Sequence, residues 1–89
     1  MKNALFGFGV FEEHNSVWLN HFGTAESATD CDGRLIKRSD YGKDTPYGWE
    51  IDHILPTAVG GVDHLSNKRP RHRRGNAIAG GLLGAFLNR

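Results

Sequence analysis

One cysteine, three prolines and one methionine are all that this 89-residue chain holds of those residue types. A lone thiol, Cys31, can form neither an internal disulfide nor a cysteine-based zinc cluster. A disulfide-stapled scaffold is therefore excluded, and a reducing compartment is the simpler expectation. No run approaches the ~20 apolar residues that a bilayer span requires, which predicts a soluble, cytoplasmic protein with no membrane partner. The apolar stretch from Ala4 to Phe11 is broken by Gly7 and Gly9 and runs into Glu12 and Glu13 without a small-residue cleavage site, so it reads as a strand or a core-packing arm and not as a signal peptide. Length sets the last limit. A chain this short buries just over ~60% of its unfolded surface, which allows a single domain over residues 1–89 and excludes a large multi-domain enzyme.

Acidic residues are missing from the last part of the chain. Residues 1–33 carry one basic and five acidic side chains, residues 34–66 carry four and five, and residues 67–89 carry six and none, so the formal net charge of +1 conceals a gradient. Lys68, Arg69, Arg71, Arg73 and Arg74 lie within seven residues. Such a run suits phosphate and, most economically, nucleic acid; the plain alternative is a solvated charged face or a targeting run. What is present otherwise is the composition of a folded domain, with 38% hydrophobic residues and nine aromatics, and twelve glycines that imply many turns and a thin core.

Local signals sharpen along the chain. Val17, Trp18, Leu19 and Phe22 are expected to pack the back of the domain, with His14 and His21 as surface or packing residues. Gly33 to Lys37 reads as a short strand, and Tyr41 to Tyr47, with Gly42, Asp44 and Pro46, as a loop. Trp49 to Ile54 mixes β-formers and polar residues at strand length. A loop with Gly60, Gly61, Asp63 and an exposed His64 follows, and Leu65 to Arg69 can return as the second strand of a hairpin. Pro70 is expected to stop that strand and open a helix, capped by Asn67 or Ser66. Ile78, Leu82 and Phe86 recur at four-residue spacing and give that helix an apolar stripe, and Gly80-Gly81 is expected to break it in two.

Phosphodiester hydrolysis needs a base for water, a cation on the phosphoryl and leaving oxygens, and positive charge to hold the backbone in line. Adjacent Asp52 and His53 supply a hard oxygen ligand and a near-neutral base, and on a strand they point to opposite faces. Asp52 can then face the helix while His53 faces the other side of a phosphate. The helix must provide the second ligand, for which Asn76 and His72, four residues apart on one helical face, are both candidates. Asn67 is typed to tie the long loop back through its amide and so orient His53. Glu50 shares a face with Asp52 and is expected to be solvated.

The run Tyr47-Gly48-Trp49-Glu50-Ile51-Asp52-His53-Ile54-Leu55-Pro56, then Gly60-Gly61, then Leu65-Ser66-Asn67, then His72 and Asn76, resembles the HNH endonucleases of the ββα-metal class. The spacing agrees with the letters, fourteen residues from His53 to Asn67 and nine from Asn67 to Asn76. The likeness covers about residues 31–81, because Cys31-Asp32-Gly33-Arg34-Leu35-Ile36 and Tyr41-Gly42 also look like the lead-in of bacterial members.

The resemblance implies an α+β domain whose core, residues 31–81, is a β-hairpin followed by a helix, with residues 1–30 as a packing extension and residues 82–89 as a C-terminal helical segment. It implies one divalent cation, Mg²⁺ or Mn²⁺ first and Ni²⁺ or Zn²⁺ as further options, held by Asp52 and Asn76, with His53 as general base and Asn67 as the orienting residue. DNA is the implied substrate, cut to 5′-phosphate and 3′-hydroxyl ends, with Lys68, Arg69, Arg71, Arg73 and Arg74 on its phosphates. Activity is expected to fall below the ordinary histidine value of about pH 6.5.

The sequence departs from the family in four places. It has no CxxC pairs for a structural zinc, and His72 stands where zinc-bearing members have a ligand cysteine. Lys68 and Arg69 follow Asn67 in place of a common leucine, and Ala77 to Gly80 lacks the usual lysine. Two other readings stay open: a non-catalytic nucleic-acid-binding module on the same scaffold, and a toxin whose basic face an acidic inhibitor protein caps. Low intrinsic sequence specificity would leave targeting to a partner protein.

Overall fold

The computed structural model describes the backbone of residues 4–87 and the side chains of residues 13–85. The chain runs α1 (Ala4–Phe22), β1 (Ser27–Thr29), β2 (Leu35–Lys37), β3 (Trp49–His53), β4 (Lys68–His72) and α2 (Arg73–Leu87), a small α+β arrangement of two helices and two antiparallel hairpins. No helix among the described residues is long and apolar enough to cross a membrane.

The first segment is helix, not strand. His14, Val17, Trp18 and Phe22 recur at helical spacing and turn one face inward, and Val17 and Trp18 are fully buried. Leu19, expected in the core, lies off that face and is exposed. Whether the side chains before residue 13 pack on the core lies outside the described residues. Gly23, at φ 62°, closes the helix by donating its N–H to the Leu19 carbonyl at 3.0 Å, a left-handed C-cap that a residue with Cβ adopts only under strain.

Trp18, Ile36 and Trp49 form the core, with Phe22, Ala28 and Ile51 packed around it. The two indoles lie 5.2 Å apart, Trp18 meets Phe22 edge-on at 4.9 Å, and each indole N–H reaches a carbonyl, Trp18 to Ala25 at 2.8 Å and Trp49 to Arg38 at 3.3 Å. Satisfying both polar handles is what lets two tryptophans be buried in so small a chain.

β3 and β4 pair from Trp49↔His72 to His53↔Lys68. The second strand thus lies three residues later than expected and contains Pro70. In a two-stranded sheet each strand has a free edge, so a proline without an N–H is tolerated there. Its ring is fully buried under the helix that packs on this face.

Alternation then gives the hairpin two faces. Trp49, Ile51, Pro70 and His72, with Lys68 and His53, lie toward α1, while Glu50, Asp52, Arg69 and Arg71 lie on the other face, toward α2.

α2 begins at Arg73 rather than Pro70, and it continues through Gly80 and Gly81 to Leu87 without a break. The expected division after residue 81 has no structural counterpart. Ile78 and Leu82 of the apolar stripe face solvent, Leu82 being 69% exposed; the Phe86 side chain lies outside the described residues.

Asp30, buried at the turn between β1 and β2, fastens the two hairpins together. Its Oδ1 accepts the N–H groups of Asp32 and Arg34, both at 2.9 Å, and its Oδ2 accepts the N–H of His72 at 2.8 Å. Sequence reasoning had given Asp30 no role. The signal available was an Asp three residues before Gly33, which is turn chemistry without an address for the third bond.

Candidate functional site

Between the hairpin and α2 lies a cleft of about 240 Å³ lined by Asp52, His53, Arg69, Arg71 and Asn76, with Ile54, Pro56 and Leu83 among its apolar walls. Three of the five residues assigned from sequence to metal and base chemistry therefore meet here: Asp52, His53 and Asn76. Asp52 enters from the middle of the α2 face of β3. His53, next along the strand, belongs to the opposite face and reaches the cleft where β3 ends. Asn76 is the fourth residue of α2, one turn earlier than the sequence suggested, because the helix starts after Pro70 and not with it.

The loop that follows β3 is fixed by Asn67. Its Oδ1 accepts the Leu55 N–H at 2.9 Å, and its Nδ2 donates to the carbonyls of Leu55 at 3.0 Å and Val62 at 2.8 Å. The amide oxygen and both amide N–H groups are thus used on the loop. Gly61 makes this tie possible. A Cβ there would lie 1.7 Å from the Leu55 carbonyl oxygen, so only glycine lets the two passes of the loop approach.

Asp52 is buried, and its Oδ2 is held by Arg69 Nε at 2.8 Å and by Arg71 at 3.5 Å. Arg71 also grips Asp32 through two hydrogen bonds of 2.9 and 3.2 Å. The guanidinium holds the exposed Asp32 carboxyl below the usual carboxylate range, and that bond in turn raises the Arg71 pKa. Asn76 Nδ2 donates to Glu50 Oε1 at 2.7 Å, so Glu50, exposed as expected, also contacts the site through Asn76. That bond also sets the amide, turning Asn76 Oδ1 away from Glu50.

His72 is not brought to the cleft. It ends β4 and caps α2: its Nδ1 accepts the Arg74 N–H at 3.0 Å and its Nε2 donates to the Pro46 carbonyl at 2.7 Å. Both ring nitrogens are committed, so the ring is not available to the metal ligation assigned to it. The same holds, in part, for the basic run. Lys68 is buried and bridges Glu13 and Asp63, and Arg73 pairs with Asp44 at 2.7 Å and reaches the Thr45 carbonyl. Of the five basic residues assigned to phosphate, Arg69 and Arg71 line the cleft, Arg74 is exposed, and Lys68 and Arg73 are engaged in ion pairs within the fold. The run looked like one patch because β4 lies three residues later than expected, so that strand alternation sends Lys68 inward and Arg69 and Arg71 outward.

His53 Nε2 lies 3.0 Å from Asp63 Oδ1, and the same oxygen meets Lys68 Nζ at 2.8 Å. Lys68 and then His53 hold the Asp63 carboxyl below the ordinary range, and Asp63 and then Glu13 raise the Lys68 ammonium. Asp63 was read only as a loop residue, since nothing in sequence spacing says where the tip of a loop folds back.

Asp30, Cys31 and Asp32 form a further group of potential ligand atoms. The Asp30 and Asp32 carboxylates are already occupied by backbone N–H groups and by Arg71. No family model, curated protein or solved structure matches the chain.

Proposed function

We propose that the chain is a metal-dependent DNA endonuclease of the HNH type, with β3, β4 and α2 as its ββα-metal core. The observation that carries this reading is the meeting of Asp52, His53 and Asn76 on one cleft whose loop is fastened by Asn67.

The donor set fits a hard divalent cation: Asp52 from β3 and Asn76 from α2 offer carboxylate and amide oxygens to the same cleft, and the bond from Asn76 Nδ2 to Glu50 leaves the amide oxygen as the other end. Mg²⁺ or Mn²⁺ suits this set best, with Ni²⁺ or Zn²⁺ as alternatives. When bound, the cation stabilises charge on the phosphoryl and leaving oxygens. His53 takes the proton from water, and the resulting hydroxide attacks phosphorus. Arg69 and Arg71 stand beside Asp52, where an incoming phosphate could take over one guanidinium contact.

The test is plasmid cleavage with Mg²⁺, Mn²⁺ or EDTA, comparing the natural protein with His53→Ala after circular dichroism shows both folded. Metal-dependent cutting that drops by about 10²- to 10⁴-fold in the variant supports the reading. A second reading, a non-catalytic DNA-binding module, is favoured by the Arg69 and Arg71 contacts that occupy Asp52 Oδ2. It predicts uncut plasmid in every lane and salt-sensitive, metal-independent binding that survives His53→Ala. A targeting or inhibitor protein would act on either reading through the same arginines.

A further inference from the structure

We infer that Asp63 is a positioning residue for His53, and that Lys68 and Glu13 hold Asp63 in turn, so that helix α1 helps to aim the base. This rests on the reading of His53 as that base.

The chain of contacts crosses four elements. His53 and Lys68 are cross-strand partners at the open end of the hairpin. Asp63, from the loop between them, receives both His53 Nε2 and Lys68 Nζ on a single oxygen, and Lys68 Nζ also meets the Glu13 carboxylate of α1. His21 of the same helix approaches the Lys68 carbonyl at 3.0 Å. The charged groups around the imidazole on this face are thus Asp63, Lys68 and Glu13, with Asp52 on the opposite face.

Exposure separates orientation from mere stability. The Asp63 side chain is 72% exposed and contributes nothing to the core, whereas the Lys68 side chain is 9% exposed and fixed at both ends. With its carboxylate at the surface, and Lys68 still paired with Glu13 when that carboxylate is removed, this contact adds little to folding. What it does control is the ring. An ionised carboxylate only accepts, so the neutral imidazole carries its hydrogen on Nε2. Among the described residues Nδ1 makes no hydrogen bond, and it is left as the proton acceptor. Nδ1 takes a proton from water, the hydroxide oxygen bonds to phosphorus, and the P–O3′ bond breaks with its electron pair on O3′, which is protonated by solvent. The imidazolium then returns its extra proton to solvent.

The experiment is a long-range ¹H–¹⁵N correlation spectrum of the metal-free, histidine-labelled protein above pH 8, for the natural chain, Asp63→Ala, Asp63→Glu and Lys68→Met, alongside plasmid-cleavage kinetics. Expected are one Nε2–H tautomer with a slowly exchanging ring proton in the natural protein, and a tautomer mixture with fast exchange in Asp63→Ala. Melting temperature should stay unchanged, kcat should fall about 10- to 100-fold at constant KM, and Asp63→Glu should recover part of it. Lys68→Met should speed the ring-proton exchange. An Nδ1–H tautomer in the natural protein, or an Asp63→Ala spectrum identical to it, would overturn the inference. The expected spectra with no cleavage by any of the four proteins would instead sink the nuclease reading, and with it the role given to the pairing.

Discussion

One face of the β3–β4 hairpin carries Trp49, Ile51 and Pro70 against Val17 and Trp18 of α1; the other carries Glu50, Asp52, Arg69 and Arg71 under the first turn of α2. The first face is closed, with its indole N–H groups satisfied and its one buried lysine paired. The second is charged and leaves a cleft. In a chain with so little core, apolar burial on one side of a two-stranded sheet frees the other side to hold groups that a packed core would exclude. The comparison separates residues that keep the fold from residues that carry the chemistry, and substitutions can break it from either side.

The largest expected effect is on the closed face. Trp49→Ala removes a fully buried indole that touches Trp18 at 5.2 Å and Tyr41 at 4.9 Å, and it should cost about 3–5 kcal/mol. Small domains hold only about 5–15 kcal/mol in all, so the variant should be largely unfolded by urea at concentrations that leave the natural protein intact. Asp52→Asn is the counterpart on the open face. Its urea midpoint should shift much less than that of Trp49→Ala, while metal-dependent cleavage is lost. Equal destabilisation by the two substitutions would mean that the faces do not divide the labour.

Asp30→Ala tests the join between the hairpins. The buried His72 N–H would lose its acceptor, and two turn N–H groups would lose theirs, for a cost of about 1–3 kcal/mol. Denaturation by urea should show it, with cleavage by the folded fraction preserved. A variant as stable as the natural protein would show that water replaces Asp30 at no cost.

Acidity sharpens the contrast further. His14 stacks on Tyr41 at 4.1 Å with the rings parallel, and burial, then Arg38, lowers its pKa against the opposing pull of Glu13. In acid the unfolded chain therefore binds a proton that the folded chain resists. Stability from this group is present above the unfolded value of about 6.5 and declines as pH falls below it. Lys68 and Asp63 behave otherwise. The raised lysine contributes until pH climbs past about 10, and the lowered aspartate contributes until pH falls below about 4, so their pair is flat between. Urea midpoints of the natural protein should thus drop from pH 7 to pH 5, and His14→Phe, which keeps a ring on Tyr41, should flatten that drop. An unchanged slope in His14→Phe would assign it to another group.

What the sequence made legible follows the same division. β3 could be read because β-formers and polar residues at strand length announce it, and the tie made by Asn67 because an amide offers both a donor and an acceptor to a nearby loop. α1 was hidden: Gly7, Gly9 and the early apolar run point to a strand, and the helical spacing of His14, Val17, Trp18 and Phe22 shows only when read across residues 14–22. Pro70 misled by its usual preference, which shifted β4 and the start of α2 by three residues and so turned His72, a cap, into a candidate ligand. Asp30, Glu50 and Asp63 each make a contact between 10 and 42 residues away in the chain, and no local pattern encodes such distances.

The smallest effect concerns α2 itself. A Gly-Gly pair in mid-helix should favour a break, yet the helix continues through Gly80 and Gly81, and a Cβ at either would meet nothing within 4 Å. Because the helix is continuous there, Gly80→Ala and Gly81→Ala each fill open space and remove backbone freedom from the unfolded chain. Each should then stabilise the protein by about 0.5–1 kcal/mol, raising helical ellipticity and the urea midpoint together. Ellipticity that rises while the midpoint stays fixed would mean that this part of α2 folds independently of the hairpin. Stability of the domain would then reside on the α1 side alone, and the cleft would be walled by a helix held mainly through its first turn, where Asn76 and the His72 cap lie.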